Sequence, residues 1–246
     1  MIVRDAGDSW QLVMQTDHAD LAGGFARAWA EQGPRHDSVV LAARRHDDGW
    51  ATWERSPLVD VESRPVTFLD VHVPAHLAFY RAGIMAVADE DPYAGLLVAM
   101  HGAGIYRQRY GADPALALTR APEVQELVDE FVAEQEAAST ARMEHAEVSE
   151  TLRWDDYHRL QWYDRFSLAF CMRDWDEPGE AFDVGSYRFE PRGAWSATIA
   201  PYPFAAPSVS VRLLRRRLPK RPRTQPEFRE ELAATQVEIV DVVVAG

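Results

Sequence analysis

The sequence predicts a mainly α fold: a helical bundle with a small antiparallel β appendage built from the amino-terminal and carboxy-terminal segments. Three observations carry this. Apolar residues recur at helical spacing through most of the stretch from Gln15 to Met172. Beyond Asp174, glycine, proline and aromatic residues punctuate short alternating runs such as Ser208-Val209-Ser210-Val211. A chain of 246 residues, 47% of them apolar, can bury one sizeable core. A single domain over 1–246 is expected, with its helical core at 15–172 and the β-rich part, plus a final helix, in 1–14 and about 180–246.

Residues 2–14 alternate weakly about Gly7-Asp8, as a small hairpin does. From Gln15 to about Gln32, His18, Ala22, Phe25 and Trp29 share one helical face, and Gly33-Pro34 stops the run. A second helix is expected over Asp37 to Asp47, capped by Asp37 or Ser38 and ended by a left-handed Gly49. Pro57, Pro65 and Pro74 mark Thr52 to Pro74 as a long loop. Helices follow at about 75–89 and 92–101, divided at Asp91-Pro92, where proline suits a first helical turn. Residues 111–122 read as another loop, about 122–149 as a long acidic helix, and about 155–172 as the last major helix. Small strands then precede a helix that starts near Gln225-Pro226 and pair, on this reading, with the amino-terminal hairpin.

The net charge of −13 argues against a general nucleic-acid binder, because phosphate contacts need a basic face. Arg212 to Arg223 holds seven of the 26 basic residues, read here as a strand and loop whose charges are solvated or paired with the surplus acids. No apolar run approaches the roughly 18 residues that span a bilayer, and no secretory leader pattern opens the chain. A single cysteine, Cys171, permits no internal disulfide. A cytoplasmic protein is expected, with no membrane partner. Lys220 is the only lysine, so a GxxxxGK[ST] phosphate loop cannot be written, and neither G-x-S-x-G nor GxGxxG occurs.

The chemistry lies in LAARRHDDGW, which closes an apolar helix on His46, Asp47 and Asp48, and in two other inward faces. His18 shares its face with Ala22, Phe25 and Trp29, while Asp164 falls in register with Leu160, Ser167, Leu168 and Cys171. A buried carboxylate without a partner costs several kcal/mol. Arg165 points about 100° away from Asp164 on the same helix and cannot supply the cation. Two histidines and two aspartates on three inward faces can share one divalent cation, of a kind that suits imidazole and carboxylate ligands: Fe, Mn, Zn, Ni or Co.

The order of QTDHADLAG, AARRHDDGW and LQWYDRFSLAFC, covering about 15–172, resembles the HD-domain superfamily of metal-dependent phosphohydrolase-like helical bundles. Nearly the whole chain also resembles the bacterial domain-of-unknown-function family 3891, through MIVR, DHA, HDDGW, DPYAGLLVAMHG and PYPF. The superfamily resemblance implies His18, His46, Asp47 and Asp164 as metal ligands. It further implies His76 and His101 as ligands of a second ion, with His72 competing for the place of His76. Catalytic roles are assigned to Asp47 and Asp48, the latter as an acceptor orienting His18 or His46 or as a proton carrier. His36, His145 and His158 carry no such expectation.

The reaction implied is hydrolysis of a small, anionic phosphorylated substrate by metal-activated water, with Arg107 and Arg109 as a phosphate clamp. Two alternatives stay open: a di-iron oxygenase of the same superfamily, and a non-catalytic metal-binding or assembly module. The oligomeric state is left open.

Overall fold

A computed structural model of the chain describes residues 1–111 and 122–246, the side chains of 144–146 excepted. The expected loop at 111–122 therefore lies, past Gly111, outside the described residues. The chain begins with strands β1 (Ile2–Asp5) and β2 (Ser9–Val13), then helices α1 (Gln15–Ala28) and α2 (His36–Arg45). A 3-10 turn, Asp48–Trp50, leads into the single turn α3 (Ala51–Glu54). Helices α4 (Val73–Glu90), α5 (Pro92–Ile105), α6 (Gln125–Ala146) and α7 (Glu150–Met172) follow. Strands β3 (Phe182–Val184), β4 (Tyr187–Gly193), β5 (Ser196–Ala200) and β6 (Ser208–Pro219) precede α8 (Gln225–Ala234) and β7 (Glu238–Ala245).

The helix ends follow local chemistry. Asp91 accepts hydrogen bonds from the backbone N–H groups of Tyr93 and Ala94, and Pro92 occupies the first turn of α5, where no donor is missed. Ser149 caps α7 through the Leu152 N–H, and Thr224 with Glu227 forms a reciprocal capping box on α8. Neither Asp37 nor Ser38 caps α2, which starts one residue earlier; Ser38 instead donates to Asp91 at 2.6 Å, tying α2 to the head of α5. Helix α1 stops at Ala28, short of Gln32, because Trp29 turns extended and bridges to Phe204.

The expected fold class is overturned. In place of a helical bundle with a small antiparallel appendage there is a seven-stranded sheet, ordered β1-β2-β6-β7-β5-β4-β3. It is mixed, because β5 and β7 run parallel, with Ala197 opposite Val244. The amino-terminal hairpin does join it, through β2 against β6 with Trp10 opposite Leu218. The underestimated pieces are β6, twelve residues long, and β7, which follows the helix where the chain was expected to end. Most of the basic run lies on β6 and just beyond, and its charges are largely neutralised there. Arg215 pairs with Glu238 at 2.8 Å, Arg217 with Asp176 at 2.7 Å, and Arg221 with Glu231 at 2.9 Å.

The main core runs without a break from helices to sheet. Phe25 of α1 meets Phe166 and Phe170 of α7, and those two meet Phe189 of β4. Helix α5 is buried on every side from Tyr93 to Gly104. Its small residues permit that: a Cβ on Gly95 would lie 2.4 Å from the Ala88 side chain, and one on Gly102 would lie 2.9 Å from Tyr80. Among the described residues, no helix is long and apolar enough to cross a membrane.

Candidate metal centre

Four elements bring their polar side chains to one point inside the apolar core. His18 comes from α1, His46 and Asp47 from the end of α2, His101 from α5, and Asp164 from α7. None is more than 3% exposed. His18 Nε2 lies 3.2 Å from His46 Nε2, 3.2 Å from Asp164 Oδ1 and 3.8 Å from Asp47 Oδ2. His46 Nε2 lies 3.5 Å from Asp47 Oδ2 and 3.7 Å from Asp164 Oδ1. The groupings His18, His46, Asp47 and His46, His101, Asp164 each have the spacing of a metal site.

The outward side of each ligand is held by the chain. His46 Nδ1 lies 2.8 Å from the Ala43 carbonyl, which can only accept, so this nitrogen carries a proton. Ser167 Oγ donates to the Asp164 carbonyl at 2.8 Å and must therefore accept from His18 Nδ1 at 2.7 Å. In both rings the Nδ1–H points away, and Nε2 turns toward the partner ring and the two carboxylates. Tyr80 donates to Asp47 Oδ1 at 2.9 Å, and Arg109 donates to Asp164 Oδ2 at 2.5 Å. The cation that the Asp164 carboxylate was expected to need is thus partly Arg109. Arg165, as expected, turns elsewhere, over the Trp162 ring.

Electrostatics reports the same demand for positive charge. Burial works against a charged His46, yet Asp47 and then Asp164 outweigh it and raise the ring's pKa to about 9. Burial likewise opposes the Asp164 carboxylate, but Arg109, followed by hydrogen bonds from His18 and His46, holds its pKa well below the usual range. Asp47 is also lowered, by His46, His18 and His101 against burial. Burial, reinforced by His46, depresses His101 to about 3, so that ring is neutral.

The family profile described as protein of unknown function (DUF3891) matches residues 1–220. The chain belongs to this family. That span of DUF3891 contains all five cluster residues but brings no activity with it. Comparison with curated proteins gives no match, and neither does comparison with solved structures.

In this DUF3891 chain the remaining expected residues are spread more widely. His76 is not in the cluster: its Nδ1 contacts the Tyr106 hydroxyl at 2.6 Å, its ring packs on Trp50 and Tyr80, and burial depresses its pKa to about 4. His72 is the residue preceding α4 and is absent from the groupings as well. Asp48 turns away to Arg45 Nε at 2.5 Å, and the orienting roles proposed for it belong to Ala43 and Ser167. Arg107 is exposed, 3.5 Å from Glu136, whereas Arg109 is buried against Asp164. The expected pair therefore does not form one clamp. A separate groove of about 360 Å³ between α1, α2 and β6 is lined by Asp17, Asp20, Arg27, Arg44 and Arg212 and includes none of the cluster.

Sequence reasoning passed over Gln161 and Tyr80 and placed Ser167 only as a stripe residue. Gln161 and Ser167 stand three residues either side of Asp164, on the same helical face, which is the signal that marks them. Gly49 is not left-handed either. It is needed because a Cβ there would fall 1.8 Å from the Phe79 carbonyl oxygen, where the turn after Asp47 presses on α4.

Proposed function

We propose that the chain is a divalent-metal-dependent hydrolase of the HD-domain kind, acting on a small phosphorylated substrate. One observation supports this above the rest. Two imidazole Nε2 atoms lie 3.2 Å apart, each within 3.8 Å of an oxygen of both Asp47 and Asp164, with both Nδ1–H groups committed elsewhere. With both imidazoles neutral, these four atoms are all acceptors and cannot satisfy each other. Such a group buried in an apolar core calls for a cation, a proton or a metal ion. A transition metal fits the donor set: imidazole nitrogen and carboxylate oxygen suit Fe, Mn, Zn, Ni and Co alike.

His18, His46, Asp47 and Asp164 would hold the ion, which in such a site acidifies water and stabilises charge on a phosphoryl oxygen. The chain's own groups do the rest. Ser167 and the Ala43 carbonyl fix the two imidazoles in the ligating tautomer, and Tyr80 fixes Asp47. Arg109 leaves the centre more positive than its four ligands alone would, which favours an anionic substrate. We further place the protein in the cytoplasm, where its one buried thiol, Cys171, stays unpaired.

The test is elemental analysis of freshly purified protein beside His46→Ala, followed by a panel of phosphomonoesters and phosphodiesters. The wild type is expected to carry a transition metal, the variant to lose most of it, and turnover to disappear with the metal. Equal metal in the two proteins would refute the centre. Full occupancy without turnover would leave a metal-binding module. The di-iron oxygenase reading needs His76 in the cluster and would require two irons per chain.

A further inference from the structure

Resting on the metal-centre reading, we infer that Arg109 acts as a built-in cation that restricts the centre to a single metal ion. It does so by closing, directly and through Gln161, the positions a second ion would need. A second ion requires a shared carboxylate or an imidazole with a free lone pair. Each carboxylate here gives one oxygen to the centre and has the other occupied: Asp47 Oδ1 by the Tyr80 hydroxyl, and Asp164 Oδ2 by Arg109 at 2.5 Å. His46 cannot serve two groupings, because its Nδ1 is bound to Ala43 and only Nε2 remains.

His101 is the remaining donor, and its lone pair is also taken. The same Arg109 Nη1 that reaches Asp164 donates to Gln161 Oε1 at 2.5 Å. This fixes the orientation of the Gln161 amide, so its Nε2–H₂ group faces His101 Nδ1 at 3.3 Å. His101 Nδ1 is then the acceptor, and the proton of the neutral ring sits on Nε2. Neither nitrogen has a lone pair for a metal. His101 presents a hydrogen-bond donor at the edge of the cluster instead.

The backbone around Arg109 is bent to place it. Gln108, Arg109 and Tyr110 are all left-handed, with φ of 52°, 50° and 50°. Each costs about 1–2 kcal/mol relative to a right-handed residue. Three such residues in a row persist only when the surroundings hold them, and the contacts of Arg109 to Asp164 and Gln161 are the buried polar ones available to do so. A guanidinium placed this way also repels a second dication.

Two measurements test this. In metal-free protein, nitrogen-15 NMR of labelled histidines should show His101 protonated at Nε2, and Gln161→Glu should move that proton to Nδ1, since a carboxylate there can only accept. In Mn²⁺ titrations followed by elemental analysis and electron paramagnetic resonance, the wild type should bind one ion per chain with an isolated spectrum. Gln161→Glu and Arg109→Gln should each bind a second ion and show an exchange-coupled spectrum. Gln161→Glu is close to isosteric and keeps the Arg109 contact, so it tests the idea even if Arg109→Gln does not fold. A coupled pair in the wild type, an Nδ1–H on His101, or a single ion in both variants would overturn the inference. A wild type that binds no ion while His101 shows the Nε2–H form would instead strike the metal-centre reading itself.

Discussion

Two imidazoles facing each other at 3.2 Å in a buried core make the residue-scale problem plain, and the titration of His46 tests it. Without metal, the need for a cation falls on a proton: His46, ordinarily near 6.5, is held at about 9 by Asp47 and Asp164 despite its burial. A raised pKa means that the folded state binds this proton more tightly than the unfolded chain does. The contribution is therefore fully present below pH 6.5 and is lost as pH rises through 9. In chelator-treated protein, the stability difference between wild type and His46→Gln should shrink steadily between pH 6.5 and 9.5 in denaturant melts. A difference that stays constant over that window would show that the ring is not held protonated. Metal loading should reverse the trend, because the ion needs the neutral ring and so binds better as pH rises. At this scale the sequence reveals the inward histidines and aspartates, since burial of a charged type on an apolar face can be read from spacing. It does not reveal that Arg109, 55 residues before Asp164, is its partner, because nothing local links the two.

At the scale of elements, helices were legible to within a few residues wherever an apolar stripe and a cap coincided, as at Asp91-Pro92. They were less so where a tertiary contact overrode the local signal, as at Trp29 and Ser38. Gly49 shows the difference. Its place after a helix suggests a left-handed cap, yet its actual constraint is the Phe79 carbonyl on α4, 30 residues away in sequence. A methyl at 1.8 Å from that oxygen cannot be absorbed by a side-chain rotation, because the obstacle is backbone. Gly49→Ala should therefore cost about 3 kcal/mol. Because the turn carries Asp47 and is pressed between α2 and α4, metal affinity should fall along with stability. Thermal melts paired with metal titration check this. An alanine variant with unchanged melting would mean that the turn and α4 do not meet as described.

For the molecule as a whole, the question is whether the helices stand alone with the strands appended, as periodicity suggests, or whether the sheet is part of the same cooperative unit. Helical stripes repeat over many residues and dominate a reading from sequence. A strand such as β7 shows only a short apolar run, and its neighbours are set by pairings such as Ala197 with Val244 and Ser208 with Ala245, far outside any local window. Yet β7 lies between β6 and β5, with Val242 and Val244 fully buried. Removing it would split the sheet into β1-β2-β6 and β5-β4-β3 and leave two unpaired edges beside the face that α1 and α7 cover. A chain ending at Gln236 should lose cooperative melting and aggregate, and its metal centre should fail with it, although every proposed ligand is retained. Ile239→Ser on the same strand should shift stability by less than about 0.5 kcal/mol, because that side chain is 63% exposed. If the shortened chain instead kept its helical circular dichroism, its melting transition and its metal, the helices would form an independent bundle. The sheet would then be the appendage that the sequence pattern first suggests.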